Sequence, residues 1–190
     1  MTSDEILNVL WELGVLRQGH FLLTSGRHSD RFLLSSQLTM HPTRTQTLIG
    51  LLAQKVRAEG YSPNVVIGPA MGGVILAYEM ARALGCRAMY VEKDGEGMAL
   101  RRGFTLNADD RVLVVEDAVS TGGSVQKTLD VVEASAATLL ATAVLFDRTK
   151  GEVRFAGKAP ISLLELDIPA WLPEECPLCK EGIPLVAPKL

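Results

Sequence analysis

Glu116 and Asp117 stand side by side after the apolar run Val112-Leu113-Val114-Val115, and a small-residue string, Ser120-Thr121-Gly122-Gly123-Ser124, follows almost at once. Adjacent carboxylates accept hydrogen bonds from neighbouring hydroxyls. A turn of small residues entering a helix lets backbone N–H groups converge on an anion. Two acids would repel a bare polyphosphate, but a ribose 5-phosphate suits both halves, its 2′- and 3′-hydroxyls on the acids and its phosphate in the turn. Neither G-x-G-x-x-G nor G-x-x-x-x-G-K-[ST] occurs at this turn, which counts against a dinucleotide fold and a P-loop. Arg148 follows another apolar run, Leu139 to Phe146, where it is either one half of a surface ion pair or a planar guanidinium able to bind a carboxylate bidentately.

Elements must hold these groups. The run 112–115 has the pattern of a strand covered on both faces of a parallel sheet, with the acids at its carboxyl end, where open α/β sheets bind ligands. A helix is expected from Val125 to about Ala136. The arrangement repeats at Val65-Val66-Ile67-Gly68, followed by Pro69-Ala70-Met71-Gly72-Gly73 and a helix from Val74 to Leu84. This second turn is either another anion cradle or a place where glycines allow tight packing of helix on sheet. Ala88 to Glu92 reads as a third strand. Residues 93–104 show no apolar period and are expected to form a mobile loop or loose hairpin, whose Lys93, Arg101 and Arg102 could close over concentrated negative charge. Thr2-Ser3-Asp4-Glu5 has the form of a capping box before an apolar stripe of Ile6, Leu7, Leu10 and Leu13, and Pro42 suits the start of a further helix.

The 190 residues, 47% of them hydrophobic, suffice for one α/β domain spanning 1–190. A net charge of −3 without blocks of like charge gives no footprint for nucleic acid. No apolar run reaches membrane-spanning length, and the N-terminus lacks a leader pattern, so no membrane partner and a cytoplasmic location are expected. Cys86, Cys176 and Cys179 do not make a disulfide framework. Cys176-Pro177-Leu178-Cys179 has no second pair and no histidine near it in sequence, too little for a four-ligand zinc site, and His20, His28 and His41 receive no role. No residue is assigned as a metal ligand.

The string from Val115 to Ser124 resembles the phosphoribosyl-diphosphate (PRPP) signature of the type I phosphoribosyltransferases. Phe21-x-Leu23-x-Ser25-Gly26-Arg27-x-Ser29, followed by the aromatic Phe32, resembles the N-terminal segment that marks the orotate phosphoribosyltransferases among them. The resemblance implies a central, mostly parallel sheet flanked by helices, with a small hood mainly at 19–40 and a tail at 167–190. It implies transfer of the 5-phosphoribosyl group from PRPP to orotate, giving orotidine 5′-monophosphate and diphosphate in pyrimidine biosynthesis. Mg²⁺ is the implied cofactor and a homodimer the implied assembly.

By the same resemblance Glu116, Asp117, Lys93 and Arg101 are catalytic. Ala118, Val119, Ser120, Thr121, Gly122, Gly123 and Ser124 join Glu116 and Asp117 in binding PRPP, with Ala70, Met71, Gly72 and Arg102. Ser120, Arg148, Phe32, Ser25 and Arg27 bind orotate. Thr24 and Gly72 stand where members carry Lys, and the loop at 93–104 is short and lacks His. The alternatives are a purine phosphoribosyltransferase, which has no use for Arg148, and a non-catalytic PRPP-sensing regulator.

Overall fold

The computed structural model describes residues 1–23 and 25–188. In chain order it contains α1 (Ser3–Glu12), β1 (Leu16–Leu22), β2 (His28–Leu33), a short α2 (Ser36–Thr39), α3 (Pro42–Ala58), β3 (Val65–Pro69), α4 (Gly72–Leu84), β4 (Arg87–Asp94) and β5 (Gly97–Leu100). β6 (Arg111–Val119), α5 (Gly123–Glu133), β7 (Thr138–Asp147), β8 (Ile161–Glu165) and α6 (Pro177–Lys180) follow. Contacts divide the chain into two compact units, Met1–Leu38 with Asp167–Leu190, and Thr39–Leu166.

The larger unit is a six-stranded sheet in the order β5-β4-β3-β6-β7-β8. All neighbouring pairs are parallel except β4 with β5, an antiparallel hairpin. Val112 to Val115 are completely buried, as a strand covered on both faces requires. Because side chains alternate along a strand, Val112 and Val114 pack with Val65, Ile67, Val125, Leu129 and Val132, so one face carries α5. The buried stripes of α3 (Leu48, Ile49, Leu52, Val56) and α4 (Leu76, Ala77, Met80) supply the remaining helical layer.

Several boundaries differ from the sequence reading. β6 runs four residues past the apolar run, because Glu116 and Ala118 keep pairing with Val144 and Phe146 of β7. The acids therefore lie on the last turn of the pleat, not beyond it. Of the two forms expected for 93–104 the hairpin is found, with Lys93 opposite Met98 and Asp94 opposite Gly97, but its strand ends at Leu100 and 101–104 follow as a turn. Ile161 to Glu165, just ahead of the expected tail at 167–190, is an edge strand parallel to β7. Its five residues carried too short a pattern to distinguish a strand from an apolar tail.

In the smaller unit α1 begins with the expected capping box: Glu5 N donates to Thr2 Oγ1 (3.2 Å) and Thr2 N to Glu5 Oε2 (2.8 Å). Ile6, Val9 and Leu10 form its buried stripe, and Gly14 follows with φ +65°. β1 and β2 pair antiparallel, and the C-terminal segment pairs with both strands, Val186 beside Phe21 and Trp171 opposite His28. That pairing corrects one expectation. Cys176 and Cys179, judged to have no histidine nearby, lie against His20 and His28, with Sγ–N distances of 3.2 to 3.7 Å. Sequence distance hid them, since the cysteines return to the hairpin only when the tail pairs with it. Thr24 lies outside the described residues.

Candidate active site

Parallel pairing places the carboxyl ends of β3, β4, β6 and β7 along one edge of the sheet, with the candidate residues of the larger unit on them or on the turns that follow. Glu116 is only 6% exposed; its Oε1 accepts from Asp117 N (3.0 Å) and its Oε2 from Ser124 Oγ (2.9 Å). Burial, then the neighbouring charge of Asp117, pushes the Glu116 carboxyl up to about 8. Asp117 is half-buried and accepts from Ala118 N at 2.6 Å. The buried acid is thus held by the helix start it faces, through Ser124, a side-chain role in addition to the backbone role expected of it.

Between the acids and α5 the chain makes its turn. Gly122 adopts φ +79° at the helix N-cap, and a Cβ there would stand 3.0 Å from the Phe155 ring, so only glycine fits. No side chain caps α5, which leaves first-turn N–H groups to be met from outside the helix. Gly123 and Ser120 are exposed and Gly122 is buried. α4 also begins without a side-chain cap, at Met71.

The two readings of the second turn divide between its glycines. A Cβ on Gly73 would meet Pro69 Cδ at 2.7 Å, and one on Gly68 would collide with the Gly73 backbone, so these two permit close packing. Gly72 is exposed, and a Cβ on it would lie 3.4 Å from Asp117 Oδ2, which brings this turn up to the acids. Ala70 N is committed to Val91 O at 2.8 Å, and the Ala70–Met71 peptide is cis.

At the end of β7, Asp147 Oδ1 accepts from both Thr149 N (2.7 Å) and Thr149 Oγ1 (2.6 Å), while Arg148 N donates to Val119 O (2.9 Å). This clamped turn fixes Arg148 beside the end of β6. Arg148 Nε is buried with no hydrogen-bond partner among the described residues, and burial lowers the tendency of the guanidinium to hold its charge. A buried donor without an acceptor is costly, and a ligand carboxylate would relieve it. The sequence reading reached Arg148 but had no means of finding its clamp, because Asp147-Arg148-Thr149 reads as an ordinary polar turn.

The three loop cations differ. Arg102, at φ +58°, forks onto Glu92 (2.9 and 3.1 Å) and Arg101 pairs with Asp94 (2.8 Å), whereas Lys93 is exposed and makes no ion pair among the described residues. In the smaller unit Ser25 is exposed, Arg27 Nη1 donates to Ala170 O (3.2 Å), and Phe32 packs against Phe21 with ring centroids 5.5 Å apart. A cavity of about 630 Å³ beside Tyr61, Lys158 and Ile161 lies at the amino ends of the strands and holds none of the candidate residues.

Residues 35–159 match the model of the phosphoribosyl transferase domain. The orotate phosphoribosyltransferase of Heliobacterium modesticaldum is 45% identical over 188 residues, covering 99% of this chain and 98% of that protein. That of Carboxydothermus hydrogenoformans is 46% identical with the same coverage of each. Among solved structures, the orotate phosphoribosyltransferase of Aeropyrum pernix matches with a TM-score of 0.71 at 28% identity, over 85% of this chain and 93% of that one. The acidic strand end, the uncapped helix start and the clamped arginine are therefore parts of an enzyme, and the chain belongs to the phosphoribosyltransferase family, among the orotate phosphoribosyltransferases.

Proposed function

We infer that the chain transfers the 5-phosphoribosyl group of PRPP to orotate, releasing diphosphate and orotidine 5′-monophosphate. The observation that carries this reading is Arg148, a half-buried guanidinium with an unpartnered Nε, set beside the strand end that bears Glu116 and Asp117. A purine offers no carboxylate to such a group.

In this reading the open N–H groups of Ser120 to Ser124 hold the 5′-phosphate, and Glu116 and Asp117 take the ribose 2′- and 3′-hydroxyls. N1 of orotate attacks the ribose C1 as the bond from C1 to the diphosphate oxygen breaks, so positive charge grows on the ring. The Asp117 carboxylate beside that ring favours the charge, and with no covalent nucleophile needed its contribution is electrostatic, while Glu116 acts through hydrogen bonds. Glu116, protonated below about pH 8 in the free chain, can donate to a ribose oxygen as well as accept. The Gly72 turn and the loop cations meet the departing diphosphate. Lys93 is the cation best placed to act, since Arg101 and Arg102 would first have to leave Asp94 and Glu92.

Mg²⁺ would be held mainly through water and substrate oxygens, beside the hard carboxylate oxygens of Asp117 and without needing them as direct ligands. When bound, the ion neutralises negative charge on the diphosphate. Ser25, Arg27 and Phe32 contribute the orotate-binding hood, and the hairpin at 93–104 closes over the diphosphate.

A cytoplasmic homodimer is the assembly we favour. No helix among the described residues is long and apolar enough to cross a membrane. Ile75 and Tyr78, one turn apart on α4, are 50% and 67% exposed, an apolar patch that a second copy would cover. The deciding measurement is the loss of orotate absorbance with PRPP and Mg²⁺ present, together with diphosphate release. Turnover of orotate but not of adenine, guanine or uracil is expected. PRPP binding without turnover would favour the sensor.

A further inference from the structure

We propose that His20, His28, Cys176 and Cys179 form a structural zinc site that fastens the C-terminal segment to the β1–β2 hairpin. One ligand atom from each residue lies within 4.8 Å of all the others. The closest approaches are His20 Nε2 to His28 Nδ1 (3.2 Å), Cys176 Sγ to His20 Nε2 (3.4 Å), Cys179 Sγ to His20 Nε2 (3.7 Å) and Cys179 Sγ to His28 Nδ1 (3.2 Å). A tetrahedral zinc with bonds of about 2.3 Å to sulfur and about 2.0–2.1 Å to nitrogen spaces its ligands about 3.3 to 3.8 Å apart. Four of the six ligand–ligand edges thus already lie near the spacing of a tetrahedral site, the other two being at most 4.8 Å.

Three further features support a metal over a chance cluster. His20 Nδ1 lies 2.7 Å from the carbonyl of Ile183. Donation to that carbonyl puts the lone pair on Nε2, which faces the cluster, the outer hydrogen bond typical of ligating histidines. Burial is the second feature. Cys176 is fully buried, and His20 and His28 are 2% and 6% exposed. Cys179 alone is exposed, closing the cluster at the surface, and two thiolates with two neutral imidazoles around Zn²⁺ carry no net charge, which suits the three buried ligands. The third is placement: backbone pairs Phe21–Val186 and His28–Trp171 bring tail and hairpin into register on either side of the cysteines. Four protein ligands leave no open position, so the site is structural rather than catalytic.

The test is metal content. The full chain, grown with zinc in the medium and purified without chelator under reducing conditions, should carry about one zinc per chain by plasma mass spectrometry. The zinc should be released when a mercurial blocks the thiols. Cobalt replacing it should give intense tetrahedral visible bands and thiolate charge-transfer absorption. Cys176→Ser and His20→Ala should each lower zinc at least tenfold. Should these variants fail to fold, mercurial release and cobalt spectra of the unmutated chain still decide. Chain that is zinc-free and takes up none on titration overturns the proposal, as does a Cys176–Cys179 disulfide in freshly purified protein. So does zinc retained after Cys176→Ser with Cys179→Ser, or cobalt spectra without thiolate bands.

Discussion

The acidic edge of the larger unit and the His–Cys cluster of the smaller one both converge ligating atoms on a point, by opposite routes. At the edge, Glu116, Asp117 and Ser124 come from a single strand, turn and helix, and Glu116 meets Ser124 across 8 positions. In the cluster, Cys179 meets His20 across 159 positions, and the arrangement exists only once the tail has paired with the hairpin. A local site forms with its supersecondary unit. A non-local site requires loop closure and is a place where a metal adds free energy to folding.

Perturbations should separate the two. Asp117→Asn is expected to lower kcat on the order of 10² or more and leave the melting temperature and zinc content nearly unchanged; unaltered turnover would take the acids out of the mechanism. Arg148→Ala should reduce kcat/KM for orotate by about 10-fold to 100-fold with little change in KM for PRPP, a loss of about 1.5–3 kcal/mol typical of a hydrogen bond to a charged group. Equal damage to both substrates in steady-state assays would reassign Arg148 to scaffolding.

The pH dependence of stability probes the edge alone. The folded chain holds a proton on Glu116 up to about pH 8, whereas an unfolded glutamate releases it near its ordinary 4.5. The folded state therefore binds more protons across that window, and this contribution to stability is greatest below 4.5 and declines as pH rises to about 8. Glu116→Gln should flatten the decline, becoming more stable relative to the parent by a few kcal/mol at most at pH 9. Parallel melting curves from pH 5 to 9 would refute the raised carboxyl. Gly122→Ala, forced to hold φ +79° against Phe155, should cost about 1–2 kcal/mol in chemical denaturation. No loss would mean the turn relaxes.

Legibility followed the same division. The strand before the acids, the small-residue turn and the helix after it could be read because each signal lies next to the one it supports, and Thr2 with Glu5 announced the start of α1 in the same way. β8 could not be distinguished from a tail, since a five-residue edge strand owes its state to β7 beside it. The clamp of Thr149 on Asp147 was equally silent. The metal-ligand cluster was missed for want of register. Leu22 pairs with His28, but the pairing shifts register between Gln18 and Phe21, where His20 lies, so simple alternation along the hairpin could not have brought the two histidines together.

The helix starts carry one more consequence. α1 satisfies its first turn with its own side chains, while α4 and α5, at the ligand edge, have no side-chain cap. First-turn amides that lack a partner in the chain would depend on solvent until a phosphate arrives, so resistance to heat should vary with the buffer, rising with inorganic phosphate as a bound ligand's concentration exceeds its dissociation constant. Thermal resistance compared with other proteins in a phosphate-free medium would then understate that of the enzyme at work.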